Sequence, residues 1–366
     1  MVARCKDIKR TLNFPRMQSL QQPSLSQLFA FGLQQPLSQN LLLHPRFSKN
    51  NTTTMAKQRL VVFGATGNQG GSVSRAVLDD PELSKRYAVR AITRDTSTAK
   101  AQDLKSRGAD VVAADLDDPF SLPAALHGAN FVFAITATSY EGHTRTIETR
   151  QATALIDEAI KQGASYIIWS SMSHPAKISS GKLAHAVHFD VKAEIETYLR
   201  AQPVKSAFFA PGSFMQNFTT MMAPRPSPAN DGSYVLANVQ RPETRLPLID
   251  VTESGAWVSA ILADPEAYDG AFFAAAEGLY SQVEIAEVLS RVSGKTVRHV
   301  QVDDEVYKGY LPEASREMLF EMNLLFREYG YYGESMERDV QWAKEQARGT
   351  LTGLEGFLRR IGWGLE

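Results

Sequence analysis

The sequence predicts an α/β fold: a doubly wound parallel sheet followed by a smaller C-terminal α+β lobe on the substrate side. Three observations carry that prediction. Short apolar runs alternate with helical stretches between residues 59 and 210, the rhythm of parallel strands joined by right-handed crossovers. A glycine-rich turn closes the first run. After Pro211 the rhythm changes, and the remaining segments read mainly as helix and loop.

Taken in order, Arg59 to Phe63 reads as a buried strand, because it is apolar after its first residue and bounded by Gly64. Ser72 to Leu78 reads as a helix ended by Asp79-Asp80-Pro81. Tyr87 to Thr93 is the second strand. Thr98 to Arg107 is a helix closed by Gly108, and Asp110 to Ala114 is the third strand. Leu122 to Leu126 is a short helix stopped at Gly128, and Phe131 to Ile135 is the fourth strand. Thr144 to Gln162 is a long helix closed by Gly163, followed by a fifth strand at Tyr166 to Ser170. His185 to Ala201 is a helix, and Lys205 to Ala210 is the sixth strand. Beyond it, Pro224-Arg225-Pro226-Ser227-Pro228 reads as loop. Gly255 to Leu262, Ser281 to Ser293 and Glu313 to Tyr329 read as helices, with a strand at Ala271 to Phe273. The expected division is an extension over 1–55, a sheet domain over 56–212 and a C-terminal lobe over 213–366, parts of which can return to the sheet.

Of the 366 residues, 43% are hydrophobic and 22% charged, ordinary for a globular chain and enough for two structural units. The charge is unevenly placed. Residues 1–54 hold seven Lys/Arg and one acid, Asp7, which leaves 32 basic and 39 acidic residues and a net of −7 for the rest. A mildly acidic folded part argues against direct nucleic-acid binding. Cys5 is the sole cysteine, so an intramolecular disulfide is excluded and cysteine catalysis is not expected. No apolar run approaches the roughly 20 residues needed to span a bilayer, and no membrane association is expected. The extension is rich in Gln, Ser, Leu and Pro. That composition suits a mitochondrial transit peptide, a disordered tail, or a chain that starts at Met55. The expected compartment is cytoplasm, nucleus or both, with mitochondria as the alternative.

Gly64-Ala65-Thr66-Gly67-Asn68-Gln69-Gly70 spaces its glycines as G-x-x-G-x-x-G. Such glycines permit a tight turn, close backbone approach to a pyrophosphate, and tight helix–strand packing. The helix that follows offers free N–H groups and a positive dipole end to phosphate. A glycine triple alone says little. This one follows an apolar strand, opens a helix and sits in a βαβ unit, so it reads as a Rossmann-type dinucleotide site. Thr93-Arg94-Asp95 ends the second strand. Arg94 suits the 2′-phosphate of NADP(H), whereas Asp95 would suit the free ribose hydroxyl of NAD. The arginine is the stronger signal, and NADP(H) is the expected cofactor.

Several segments together resemble the NmrA-like family, atypical members of the short-chain dehydrogenase/reductase superfamily. They are Val62 to Val73, Thr93-Arg94, Ala114 to Asp118, His188 to Glu196, and Pro211 to Phe218. The resemblance implies a Rossmann domain with a smaller C-terminal lobe and NADP(H) in the cleft at the carboxyl edge of the sheet. The family includes fungal nitrogen-repression regulators, NADP(H) redox sensors and true reductases. Carried over, Gly64, Thr66, Gly67, Asn68, Gln69 and Gly70 line the pyrophosphate. Arg94 meets the 2′-phosphate, with Lys100 as a candidate second basic residue. Asp115 and Leu116 lie against the adenine, Thr136 follows the fourth strand beside the cofactor, and Lys192 reaches the nicotinamide ribose.

Classical members of the superfamily place Tyr and Lys at i and i+4 on one helix face. The lysine anchors the ribose and lowers the tyrosine's pKa. Here that register reads His188-x-x-x-Lys192: the lysine is present and the tyrosine is missing. Three readings are open. His188 donates the proton; Lys192 does so, as the resemblance to lysine-dependent aromatic-alcohol and isoflavone-type reductases implies; or neither acts and the protein senses NADP(H). Ser170 and Ser171 end the fifth strand, where the superfamily often places a substrate-polarising hydroxyl, and an ordinary strand-end turn explains them equally well. His174, His185 and His188 lack the His-Glu-x-x-His pattern, so no metal is expected. Tyr329-Gly330-Tyr331-Tyr332-Gly333 either lines a substrate pocket or packs the C-terminal lobe.

Two functions follow. One is an NADPH-dependent reductase of a small organic substrate, of the secondary-metabolite kind, in a pocket walled by Phe214, Asn217 and the C-terminal lobe. The other is a regulator that binds a protein partner differently with NADP⁺ and NADPH, through loops around residues 137–143 and 172–184. The reductase is preferred.

Overall fold

In the computed structural model, residues 56–140 and 142–365 are described; the expectations about the N-terminal extension and Cys5 lie outside the described residues. The first strand, β1 (Gln58–Val62), shows how the sheet is buried on both sides. Successive side chains point to opposite faces. Leu60 and Val62 enter one core, and Val61 and Phe63 enter the other. The chain continues through α1 (Asn68–Asp79), α2 (Leu83–Arg86), β2 (Tyr87–Thr93), α3 (Ala99–Ser106) and β3 (Asp110–Ala113). Then come α4 (Leu122–Leu126), β4 (Phe131–Ala134), α5 (Thr144–Lys161), β5 (Tyr166–Ser170), α6 (Pro175–Ile178), α7 (Val187–Arg200) and β6 (Lys205–Pro211).

Further on are β7 (Ser213–Phe214), β8 (Arg225–Pro226), β9 (Tyr234–Asn238), β10 (Arg245–Ile249), α8 (Gly255–Ala263), β11 (Phe272–Ala275) and β12 (Gly278–Ser281). The described chain closes with α9 (Gln282–Ser293), β13 (Val297–Gln301), α10 (Asp304–Lys308), α11 (Arg316–Glu328), α12 (Met336–Gln346) and α13 (Leu354–Arg360).

The main sheet has the order β11-β6-β5-β4-β1-β2-β3, every neighbour parallel. It is a doubly wound, Rossmann-type sheet. The strand order reverses between β1 and β4, and such a switch point opens a crevice at the carboxyl ends of the strands.

The returning strand is β11, paired to β6 with Phe272 opposite Phe208. Helix α8 covers α1 on the same side. Trp257, Val258, Ile261, Leu262 and Phe273 share one core with Val73, Val77 and Phe209. The Trp257 indole donates to Ala343 O at 2.9 Å, tying α8 to α12.

The other late strands form two small sheets, β12-β10-β7 and β13-β9-β8, around a separate core that includes Phe218, Leu248, Leu325 and Phe357. Several local details differ from the sequence reading, the following three among them. Helix α1 starts at Asn68, within the glycine loop and ahead of the apolar pattern. The proline-rich loop holds the short strand β8. Residues 313–315 form a separate 3₁₀ turn before α11. No helix of the described residues is long and apolar enough to cross a membrane.

Candidate cofactor cleft and active site

The glycine loop connects β1 to α1 at the switch point. Gly64 has φ +63°, a left-handed conformation that favours glycine. The Gly67 N–H closes the turn on Gly64 O at 2.9 Å. A Cβ on Gly70 would lie 2.5 Å from the carbonyl oxygens of both Phe63 and Gly64, so only glycine lets α1 leave the strand this closely. Gly67 is the N-cap and provides no side-chain cap, which leaves the N–H groups of the first turn open to an anion. Gly64, Gly67 and Asn68 are exposed, and Thr66 and Gln69 are half-buried. Two bonds anchor the loop to the carboxyl edge. The Thr66 and Thr93 hydroxyls stand 3.2 Å apart, and Ser170 Oγ donates to Gln69 Oε1 at 2.8 Å.

Arg94 is exposed immediately past β2. The competing acid beside it is engaged elsewhere. Asp95 accepts the Ser97 hydroxyl at 2.6 Å and the Ser97 N–H at 2.7 Å, which hold its carboxyl below the usual range. Lys100 is exposed on α3. Past β3, Asp115 is pinned by its own turn: its N–H donates to Ser121 Oγ at 3.1 Å, and its Oδ1 accepts from Asp117 N at 3.0 Å. Leu116 packs at the margin of the neighbouring core.

The ends of β4, α5 and α7 bring three polar side chains together. Lys192 Nζ donates to Glu148 Oε2 at 2.6 Å and to Thr136 Oγ1 at 3.0 Å. The Thr136 hydroxyl donates to the same Glu148 oxygen at 2.5 Å. Thr136 and Lys192 were expected from the sequence; Glu148 was not. It lies on the buried stripe of α5 that also carries Thr144, Gln151, Ala152 and Leu155. A carboxylate in such a stripe is a readable signal for a buried ionic role. Glu148 is 0% exposed, and its Oε1 has no hydrogen bond among the described residues. The Trp169 indole donates to Lys192 O at 2.9 Å and fixes the lysine backbone.

His188 lies one turn before Lys192 and is buried. Its Nε2 faces Met322 Sδ at 3.3 Å, and its Nδ1 makes no hydrogen bond among the described residues. Burial, with the Lys192 charge second, pushes its pKa down to about 4, so the ring is neutral at pH 7. The Tyr140 ring lies 6.1 Å from it. Ser171 Oγ donates to Glu196 Oε2 at 2.5 Å, so both strand-end serines are engaged in the protein.

His174 pairs with Asp190 and His185 with Glu321, each at 2.6 Å. Tyr331 and Tyr332 are buried and donate to Pro211 O and Ala210 O, at 3.2 Å and 2.8 Å. They pack the second core against the end of β6. Phe214 is half-buried against the core of the main sheet.

A family model described as the NmrA-like family matches residues 56–358. The chain is 29% identical over 322 residues to an NmrA-like family domain-containing protein of Dictyostelium discoideum, covering 84% of this chain and 99% of that one. It is 28% identical over 278 residues to an NmrA-like family domain-containing oxidoreductase of Aspergillus campestris, covering 70% and 80%. Among solved structures it is similar to NmrA, a negative transcriptional regulator, in complex with NADP. That likeness has a TM-score of 0.67 at 23% identity, over 83% of this chain and 95% of the other. The same regulator has also been solved in complex with NAD.

Proposed function

The chain belongs to the NmrA-like family, and from that premise we propose that it is an NADPH-dependent oxidoreductase acting on a small organic substrate. The observation that carries the reading is one sheet edge holding both an open, glycine-lined helix N-terminus and a buried Lys192 fixed by Glu148 and Thr136. The naming of the Aspergillus campestris relative as an oxidoreductase supports it.

The residues fit a dinucleotide: Gly70 leaves room where a Cβ would collide, and the first turn of α1 has open donors. Bound NADPH would supply a hydride. In this reading Gly64, Thr66, Gly67, Asn68, Gln69 and Gly70 hold the pyrophosphate, Arg94 pairs with the 2′-phosphate, and Asp115 and Leu116 flank the adenine. Thr136 and Lys192 face the nicotinamide ribose. The engagement of Asp95 with Ser97 favours the phosphate-bearing cofactor, because exposed Arg94 is then the charged group at the end of β2 without a hydrogen bond among the described residues. Lys192 delivers the proton from Nζ–H, and Glu148 holds that ammonium in place. Neutral His188, packed on a thioether, serves as a wall of the substrate pocket rather than as the acid.

The test is NADPH oxidation by the full chain with a panel of aldehydes, ketones, quinones and enones, beside Lys192→Ala. Turnover is expected to fall at least about 100-fold in the variant, the usual scale of a lost general acid. NADPH binding is read separately by nicotinamide fluorescence.

A second reading rests on His188 standing where the classical tyrosine would be, and on the likeness to a transcriptional regulator. It makes the chain a redox sensor whose protein partner distinguishes NADP⁺ from NADPH. Tight NADPH binding without turnover across the panel, with a partner retained in only one cofactor state, would select it.

A further inference from the structure

Helix α1 carries a guanidinium with no use in the fold. Arg75 is half-buried, yet it makes no hydrogen bond or ion pair among the described residues. Side chains on a helix lean toward its N-terminus, and Arg75 comes up one turn to Gly71. A Cβ on Gly71 would lie 3.3 Å from Arg75 Nη1 and 3.1 Å from Ala65 O, so the bare glycine leaves room for the guanidinium beside the glycine loop.

The neighbouring acids are committed elsewhere. Asp79, the i+4 residue that would pair with Arg75 on one helix face, accepts Arg107 Nη1 at 3.0 Å on both oxygens. Asp103 accepts Arg107 Nε at 3.1 Å, and Asp95 is held by Ser97.

The Asp79–Arg107 pair also fixes which way this flank of α1 looks. Arg107 directly follows α3. Helices α1 and α3 both run away from the carboxyl edge of the parallel sheet, and they share a core through Val73, Val77 and Leu104. Counted back equally from Asp79 and Arg107, Gly71 stands level with Ala99, the first residue of α3. The Arg75 guanidinium is therefore on the flank that faces the loop over 94–98, which begins with Arg94. The glycine loop is tied to that same corner: the Ala65 N–H donates to Ile92 O at 3.1 Å.

We propose that Arg75 is a second ligand of the cofactor's 2′-phosphate, closing on it from α1 while Arg94 closes from the end of β2. The inference rests on the NADPH reading above and names a further residue that sets the preference over NADH. A phosphomonoester carries about −1.5 to −2 charge at pH 7, so a single arginine leaves much of it uncompensated. A planar guanidinium presents a fork to two phosphate oxygens. Lys100, in the first turn of α3, is exposed, and its flexible ammonium stem loses more freedom per bond formed than a preorganised fork does.

The test is titration of the full chain with NADPH, NADH and adenosine 2′-monophosphate, read by nicotinamide fluorescence for the dinucleotides and by calorimetry for the nucleotide. Arg75→Ala is expected to weaken NADPH and adenosine 2′-monophosphate about 10- to 100-fold, the scale of one charge-assisted contact, and to leave NADH within about twofold. Unchanged NADH binding also shows that the variant is folded. Lys100→Ala is expected to have the smaller effect on NADPH. Arg75→Gln, which keeps part of the stem, repeats the test should the alanine variant disturb α1. Unchanged NADPH affinity in the Arg75 variants, equal losses for NADPH and NADH in a folded variant, or a larger loss from Lys100→Ala would each overturn this role and leave the cofactor reading intact. Failure of the unaltered chain to bind either dinucleotide would overturn both.

Discussion

Arg94 and His188 act through opposite environments, one fully hydrated and one dry. Arg94 is exposed past β2, and in the proposed reading it pairs with the 2′-phosphate of the cofactor. A charge-assisted contact of this kind contributes about 1.5–3 kcal/mol. Arg94→Ala is therefore expected to weaken NADPH binding about 10- to 100-fold and leave NADH binding unchanged, as read by fluorescence titration. Equal losses for both cofactors would remove the arginine from the 2′-phosphate. His188 is neutral in the fold, with its pKa pushed down to about 4 from an ordinary 6.5. Between those values the unfolded chain holds the extra proton, so acidification favours unfolding. His188 thus contributes stability that is complete above pH 6.5, is lost as pH falls toward 4, and changes no further below it. The full difference is on the order of 3 kcal/mol. Urea unfolding across this range should show the slope, and His188→Leu should reduce it by one proton. Of the clustered polar residues, Lys192 and Thr136 were legible because they sit at fixed offsets from recognisable motifs, as does the proposed phosphate ligand Arg94. Glu148 lies 44 residues from the lysine it holds, and nothing local to α5 names that partner.

Elements were legible where turn chemistry bounded them. Tyr87–Thr93, Leu122–Leu126 and Tyr166–Ser170 have the same limits in sequence and structure. The contact between α1 and α8 shows what lies beyond such reading. A Cβ on Gly255 would lie 2.5 Å from Ala76 Cβ and 2.6 Å from Ser72 O, so the missing side chain lets the two helices touch. Ser72 Oγ also accepts the Gly255 N–H at 2.9 Å and donates to Thr252 O at 2.6 Å. Both colliding atoms belong to a packed helix, and neither can swing away. Gly255→Ala should cost about 1–3 kcal/mol in denaturant unfolding, the usual range for overpacking. An unchanged midpoint would show that the helices slide apart freely. As a sequence feature Gly255 only begins a helix; its function depends on a partner about 180 residues earlier. The same limit hid β7, β8 and α6, which span two to four residues and carry no measurable periodicity. The strand at Phe272 was visible as an apolar run, but its parallel pairing to β6 was not, because pairing is a property of both strands.

At the scale of the whole molecule, those late elements decide whether the dinucleotide-binding half is an independent structure. Without residues beyond 212, β6 becomes a bare edge carrying buried Phe208 and Phe209, and α1 loses α8. Trp257, Val258, Ile261, Leu262 and Phe273 are each 0% exposed in the core they share with α1 and the sheet. At about 1.5–3 kcal/mol per large apolar side chain, their removal forfeits on the order of 10 kcal/mol. That is comparable to the whole net stability of a typical domain, about 5–15 kcal/mol. Residues 56–212 expressed alone are therefore expected to stay unfolded, whereas 56–366 is expected to fold. The ¹H–¹⁵N spectrum of the short fragment decides the matter. Collapsed amide dispersion is the expected result, and NADPH added in excess should restore little of it, since the ligand would have to supply the missing core as binding energy. A dispersed spectrum with NADPH-dependent shifts would mean that the sheet closes without β11 and α8. The C-terminal segment would then be a lobe attached to a complete cofactor domain, and its buried tryptophan and phenylalanine would stabilise the lobe's attachment rather than the fold.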